Sequence, residues 1–248
     1  MAAAKETILQ LAEQIRRCET SSRPGEPARI PLGVSGLDTL FPQRGLSTGS
    51  LVELLPRMSG AGAWTLALLL ARYACGDRKT LLIADAERCF YPPATCRFGF
   101  DPEHMIIVRP RTSSQALLAL AQALRCPVIG AALGAFDTLT DRDGRRLQLA
   151  AESGGTLGIL IRPITALAAP SFAATRLMID PLPSEPQSEP PALAGGGRRR
   201  RMRLESVRCR GGQEGKTVCL EIEPITCHAR AVPITSQAAS AALGSVRA

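Results

Sequence analysis

The sequence predicts an α/β fold: a mostly parallel sheet flanked by helices, with an N-terminal helix and a C-terminal β-hairpin. Three observations predict it. Short apolar runs alternate with longer segments whose apolar residues recur at helical spacing. Strands alternating with helices argue for parallel pairing, with both faces of the sheet covered. The chain has 248 residues, of which 45% are hydrophobic, so it can bury a sizeable core.

Residues 1–22 read as an amphipathic helix, because Ile8, Leu11, Ala12 and Ile15 share one face with charges opposite. Such a helix packs either on its own domain or on a partner. The stretch 21–27 (SSRPGEP) is a turn-rich connection. Residues 30–183 form the α/β core. Within it, 51–55 (LVELL) is a strand, 64–75 a helix, and 80–84 (TLLIA) a strand ending at Asp85. Residues 104–109 make a short strand. A helix follows at 113–124, with apolar residues at 117, 120, 121 and 124. The spans 127–133, 156–161 and 174–179 read as strands, and 145–153 as a helix. A Pro/Gly/Arg linker occupies 184–200. Residues 203–208 and 218–223 flank GGQEG, so 201–225 reads as a hairpin completing the core. The small and polar residues 226–248 read as a flexible tail.

The net charge of +8 is uneven. Arg198, Arg199, Arg200, Arg201, Arg203, Arg208 and Arg210 stand against Glu205, so +6 of the total lies in one short stretch. Arg198, Arg199, Arg200, Arg201 and Arg203 are the candidate nucleic-acid contacts, since each guanidinium can grip a phosphate. With nine aromatic residues in the chain and none in that cluster, base stacking is not supported. The eight cysteines include no CxxC pair, and only His104 and His228 join them, so neither a zinc site nor any other metal is expected. Scattered cysteines and the lack of a signal-like or membrane-length apolar run suit a cytoplasmic protein without a membrane partner.

Residues 56–65 (PRMSGAGAWT) lie between an apolar strand and an apolar helix, where a phosphate-binding loop would sit. That loop reads G-x-x-x-x-G-K-[ST]: glycines let backbone N–H groups converge on phosphates, lysine neutralises them, and the hydroxyl holds Mg²⁺. With the last glycine on Gly62, Arg57 takes the first glycine position, Ala63 the lysine and Trp64 the hydroxyl, while Thr65 follows one residue late. Gly60 and Gly62 remain without the charge chemistry, which makes the loop vestigial. Phosphoryl transfer rests on those charges, so no hydrolysis and no cofactor are expected.

The stretch IPLGVSGLD (30–38), the turn GLSTGS (45–50) and the strand LVEL (51–54) resemble the entry to RecA-like ATPase cores. TLLIADAE (80–87) is similar to the second core strand of RecA. It places Glu87 where that family keeps the glutamate that activates water, and about Ala132 where it keeps a metal-binding aspartate. A lone Glu87 reads as a solvated or helix-start charge. Arg162 falls where RecA keeps a nucleotide-sensing glutamine, and reads as an exposed strand end or a partner of Glu152. By the same resemblance, residues 136–144 and 164–171 correspond to the loops that line a DNA channel, but the second is short and uncharged.

A closer resemblance is to the ImuA family, the RecA-like or SulA-like accessory proteins of mutagenic translesion synthesis. It rests on the opening IPLGVSGLDTLFP, on VRP at 108–110, on RCRGG at 208–212 and above all on RLQLAAESGGTLGILIRP at 146–163. The resemblance implies a non-catalytic partner of RecA and of a Y-family polymerase homologue in the damage (SOS) response. Nonspecific DNA contact through the arginine segment would add to it. A SulA-like inhibitor of division and a weak ATP-binding switch are the alternatives.

Overall fold

The computed structural model describes residues 29–77, 79–183, 199–224 and 226–233. The helix expected over 1–22, most of the linker including Arg198, and the tail beyond 233 lie outside the described residues.

A small antiparallel pair, β1 (Arg29–Ile30) with β2 (Leu46–Ser47), brackets a one-turn helix α1 (Ser35–Asp38). Asp38 fixes that entry turn by accepting the Leu32 N–H at 2.7 Å. Nine strands then build one sheet in the order β11-β10-β9-β8-β3-β7-β6-β4-β5. They are β3 (Leu51–Pro56), β4 (Thr80–Ala84), β5 (Met105–Val108), β6 (Ile129–Ala135), β7 (Leu157–Ile161), β8 (Thr175–Leu182), β9 (Arg200–Cys209), β10 (Thr217–Ile222) and β11 (Ala229–Val232). From β8 to β5 every neighbouring pair is parallel. From β8 outward through β9, β10 and β11 every pair is antiparallel.

The faces are covered unequally. α2 (Ala63–Cys75) and the segment of Leu32, Leu37, Leu40 and Phe41 pack on one side, against Val52, Leu54, Leu177, Met202 and Leu220. α3 (Ser113–Leu124) and α4 (Asp141–Gly154) pack on the other, against Leu51, Ala132 and Leu160. Strands covered on both faces need apolar residues throughout, which is why β3, β6 and β7 are almost continuously buried.

Several boundaries differ from the sequence expectation, each for a local reason. α4 begins at Asp141 rather than 145, because the Thr140 hydroxyl caps it by accepting the Asp143 N–H at 3.2 Å. Asp141 and Asp143 are thus first-turn acids facing a helix dipole, and the loop expected at 136–144 shrinks accordingly. β6 starts two residues late, after Pro127, which has no N–H to offer a strand paired on both sides. His104 closes a short turn, Pro102–His104, instead of opening β5. β9 takes in Arg200, which was assigned to the linker, and β8 extends through Pro181 to Leu182. Finally, Ala229–Val232 is a strand within what was read as tail. Its small residues let the α1 turn approach, so that a Cβ on Gly36 would stand 2.8 Å from that of Ala231.

The two helices on the second face meet closely where α3 ends. A Cβ on Gly154 would collide with the backbone of Leu124 and stand 2.7 Å from the Arg125 carbonyl carbon. Gly154→Ala should therefore cost about 1–3 kcal/mol through overpacking, read as a fall of several degrees in Tm. An unchanged Tm would mean that the two helix ends are not held in contact.

Candidate functional site

β3 delivers its C-terminal end to the loop 57–62, and α2 leaves from it. The Arg57 N–H donates to the Ile179 carbonyl at 3.1 Å, so the loop continues the β3–β8 ladder by one bond. Gly60 and Gly62 have φ of 77° and 99°, a region closed to most side chains. Gly62 has a second requirement, because Met202 Cε and Arg200 Cδ would lie 2.7 and 3.2 Å from a Cβ there. Both side chains come from β9. Met202 is fully buried, and Arg200 donates through Nη1 to the Gly60 carbonyl at 2.9 Å. The chain's own side chains thus sit on the loop.

The two positions at which such a loop carries its lysine and hydroxyl are packed instead. Ala63 is buried at the start of α2. Trp64, at the hydroxyl position, is half-buried and lies against Phe90, ring centroids 5.4 Å apart at 45°. That contact joins the first turn of α2 to the turn after β4. Thr65 lies one residue further along α2, also half-buried. Arg57 turns away, its Nε 2.5 Å from Asp180 Oδ1. Glu87 is exposed, with the Cys89 thiol donating to it at 3.7 Å. The buried acid of that turn is Asp85, which accepts the N–H groups of Cys89 and Phe90 at 3.0 and 3.3 Å and pairs with Arg109 at 3.3 Å. Asp85 is a turn organiser, not an acid aimed at the loop. Ala132 lies mid-strand, facing α3 and α4.

The expectation for Arg162 is overturned. It is buried, 4% exposed, and pairs with Glu53 at 3.4 Å, while Glu152 accepts instead from Gln148 at 2.8 Å. Glu53 stands in the middle of β3 at 1% exposure and also takes Arg176 Nε at 2.8 Å and the Ser171 hydroxyl at 2.8 Å. Arg176 spends its remaining donors on the carbonyls of Ala166, Leu167 and Ala169 at 2.6, 3.2 and 3.4 Å. Residues 164–171, expected from the RecA resemblance to match a channel-lining loop, are therefore pinned to the sheet. Arg162 Nε is left without a partner. The signal in the sequence was a charge inside each of two apolar strands, Glu53 in LVELLP and Arg176 in TRLMID.

The described arginines of the run, Arg199, Arg200, Arg201 and Arg203, do not form one cluster. A strand sends alternate side chains to opposite faces. Arg200 goes with Met202 and Leu204 to the α2 side; Arg199, Arg201 and Arg203 go to the other. There Arg203 Nη2 pairs with Asp180 at 2.6 Å, sharing it with Arg57. Arg199, Arg201 and Arg230 converge on Glu221 at 3.2, 2.8 and 2.5 Å. Burial opposes ionisation of Glu221, but the hydrogen bonds and charges of Arg201 and Arg230 outweigh it and hold its carboxyl below the usual value. Asp180, Glu221 and Arg230 were not singled out from sequence.

Among the described residues no group of three or more His, Cys, Asp or Glu is placed to hold a metal, and no helix is long and apolar enough to cross a membrane.

No family model matches the chain. It is 30% identical over 211 residues to Protein ImuA of Caulobacter vibrioides, in strains NA1000 / CB15N and ATCC 19089 / CIP 103742 / CB 15 alike, covering 79% of this chain and 84% of each relative. Among solved structures, the crystal structure of the RadB recombinase superposes with a TM-score of 0.60 at 17% identity, covering 82% of this chain and all of that one. The fold is thus that of a RecA-like core.

Two outcomes follow. Glu53→Gln leaves two buried guanidiniums without their carboxylate and should cost on the order of 3–5 kcal/mol, measured by denaturant unfolding; a loss under 1 kcal/mol would show that the trio is not buried as described. Glu221 titrates lower folded than unfolded, so its contribution is full above the unfolded value and lost as pH falls through the folded one. Glu221→Gln should therefore flatten the acid limb of a Tm–pH profile below the ordinary carboxylate range. An unaltered limb would refute that coupling.

Proposed function

Because the chain belongs to the ImuA family, we propose that it is a non-catalytic RecA-like accessory protein of damage-induced mutagenic translesion DNA synthesis. In this reading it bridges or regulates RecA and a Y-family polymerase homologue through protein contacts, inside the cell and as part of the SOS response. The observation that carries the non-catalytic part is the seating of Arg200 and Met202 on the loop at Gly60 and Gly62. Arg200 holds the Gly60 carbonyl and Met202 packs under Gly62, so side chains of this chain already contact the loop on that side. A nucleotide at the loop would meet neither lysine nor metal ligand at Ala63 and Trp64. The packing of Trp64 on Phe90 supports the same reading, since it brings an apolar pair between the loop and the turn that bears Glu87.

Two measurements test this together. The purified protein should turn over no ATP with Mg²⁺ above the level of a Glu87→Gln variant. Deleting its gene should abolish most ultraviolet-induced point mutation while leaving cell division normal. Turnover that vanishes with Glu87→Gln would make the protein an ATPase. Arrested division on overproduction, with mutagenesis intact in the deletion, would make it a SulA-like inhibitor.

A further inference from the structure

We infer that the apolar patch around the Trp64–Phe90 contact is a docking surface for an acidic segment of a partner protein, one that presents an apolar side chain flanked by carboxylates. The patch is built from Met58, Trp64, Phe90 and Tyr91, with Arg88 and Arg200 at its rim. The inference deepens the accessory role proposed above by naming a surface for such contacts, and it rests on that reading.

Met58 and Tyr91 are 59% and 68% exposed. The other large apolar side chains left exposed, Ile106, Leu118, Val128, Leu149 and Leu167, stand on separate elements. Met58 and Tyr91 instead flank one ring contact. Tyr91 follows Phe90, Met58 stands on the turn that leads into Trp64, and the two rings lie 5.4 Å apart. Single exposed apolar residues are ordinary, whereas a group of them marks an interaction site. The backbone beneath is held before any partner arrives. The Met58 carbonyl accepts the Ala61 N–H at 3.3 Å, and Arg200 holds the Gly60 carbonyl at 2.9 Å. Asp85 accepts the N–H groups of Cys89 and Phe90, and Pro92 opens a tight turn directly after Tyr91. Side chains presented from a fixed backbone cost less to order on binding.

Chemistry selects the occupant. Met, Trp, Tyr and Arg are the residue types that protein interfaces concentrate. Nucleic-acid bases, by contrast, stack in succession on free aromatic faces. Here Trp64 is tilted at 45° on Phe90, both are half-buried, and Met58 offers no ring, so Tyr91 alone is open to a base. The charge comes from two exposed guanidiniums. Among the described residues the Arg88 side chain has no partner, and Arg200 has the Gly60 carbonyl but no carboxylate. Glu87 is the one exposed acid of the turn that bears Arg88, and it takes the Cys89 thiol. Arg57 is already paired with Asp180 and adds nothing to the count. A guanidinium grips a carboxylate bidentately, so carboxylates beside an apolar anchor complement this rim.

The test pans a phage-displayed library of random dodecapeptides on the full-length protein. Enriched peptides should carry Asp or Glu beside Leu, Met or an aromatic residue. A labelled synthetic copy of the leading peptide is then titrated by fluorescence anisotropy. Tyr91→Ala and Met58→Ala should each weaken its binding about tenfold. Arg88→Gln should lower both the affinity and its dependence on salt. Leu118→Ala, on α3, should change nothing. Tm is recorded for every variant, and Arg88→Gln decides the matter if an apolar replacement lowers it. No enrichment, enriched peptides without acidic residues, or binding indifferent to Tyr91, Met58 and Arg88 would overturn the inference. So would single-stranded DNA displacing the peptide at equal charge, which would make this a nucleic-acid surface. Failure of the accessory role is read separately, from ultraviolet-induced mutation that persists in the deletion strain.

Discussion

A carboxylate in the middle of a parallel strand covered on both sides cannot stay charged unless the chain brings it partners, and Glu53 imposes that demand on its neighbours. Arg162 at the end of β7, Arg176 on β8 and Ser171 between them all answer it. The strands that pair with β3 are thereby tied to it by side chains as well as by their ladders. Arg176 then holds the carbonyls of residues 166–169, so the segment between β7 and β8 is laid down as a roof over the ion trio. Desolvating three charged groups makes such a trio a poor source of net stability. What the trio does visibly is position: the roof is held by Arg176 above the charge of Glu53.

The glycines of the loop look different in that light. Gly60 and Gly62 suggest a phosphate cradle because glycine is what such a cradle needs. Here both have backbone angles that favour glycine, and Gly62 also has side chains of β9 against it. Backbone conformation accounts for glycine at Gly60, and conformation together with packing accounts for it at Gly62. The strand that brings Arg200 and Met202 belongs to the antiparallel extension, so the same addition that widens the sheet also occupies the loop.

The fold was legible because its cause is local. Apolar runs and helical spacings mark the parallel strands and α2, α3 and α4, and these survive with boundaries displaced by a few residues. The displacements trace to single groups: the missing N–H of Pro127, the capping hydroxyl of Thr140. β11 was not legible, since ARAV carries no alternation or apolar run that would distinguish it from loop; it is a strand because β10 offers it an open edge. At the site, the loss of lysine and hydroxyl at Ala63 and Trp64 could be read directly from the residues. The partners of the arginines could not. Arg162 sits ten residues from Glu152 in sequence but pairs with Glu53, 109 residues away, and pairing at that range is set by which strands adjoin in the sheet.

The arginine run shows what strand geometry does to a cluster seen only in sequence. Read linearly, it is one cationic segment on a flexible linker. Along β9 its described members divide by parity, Arg200 going to the loop and Arg199, Arg201 and Arg203 to the opposite face. There they are joined by Arg57 and Arg230, which are remote in the chain. Burying Asp180 and Glu221 under five guanidiniums costs desolvation and gains orientation.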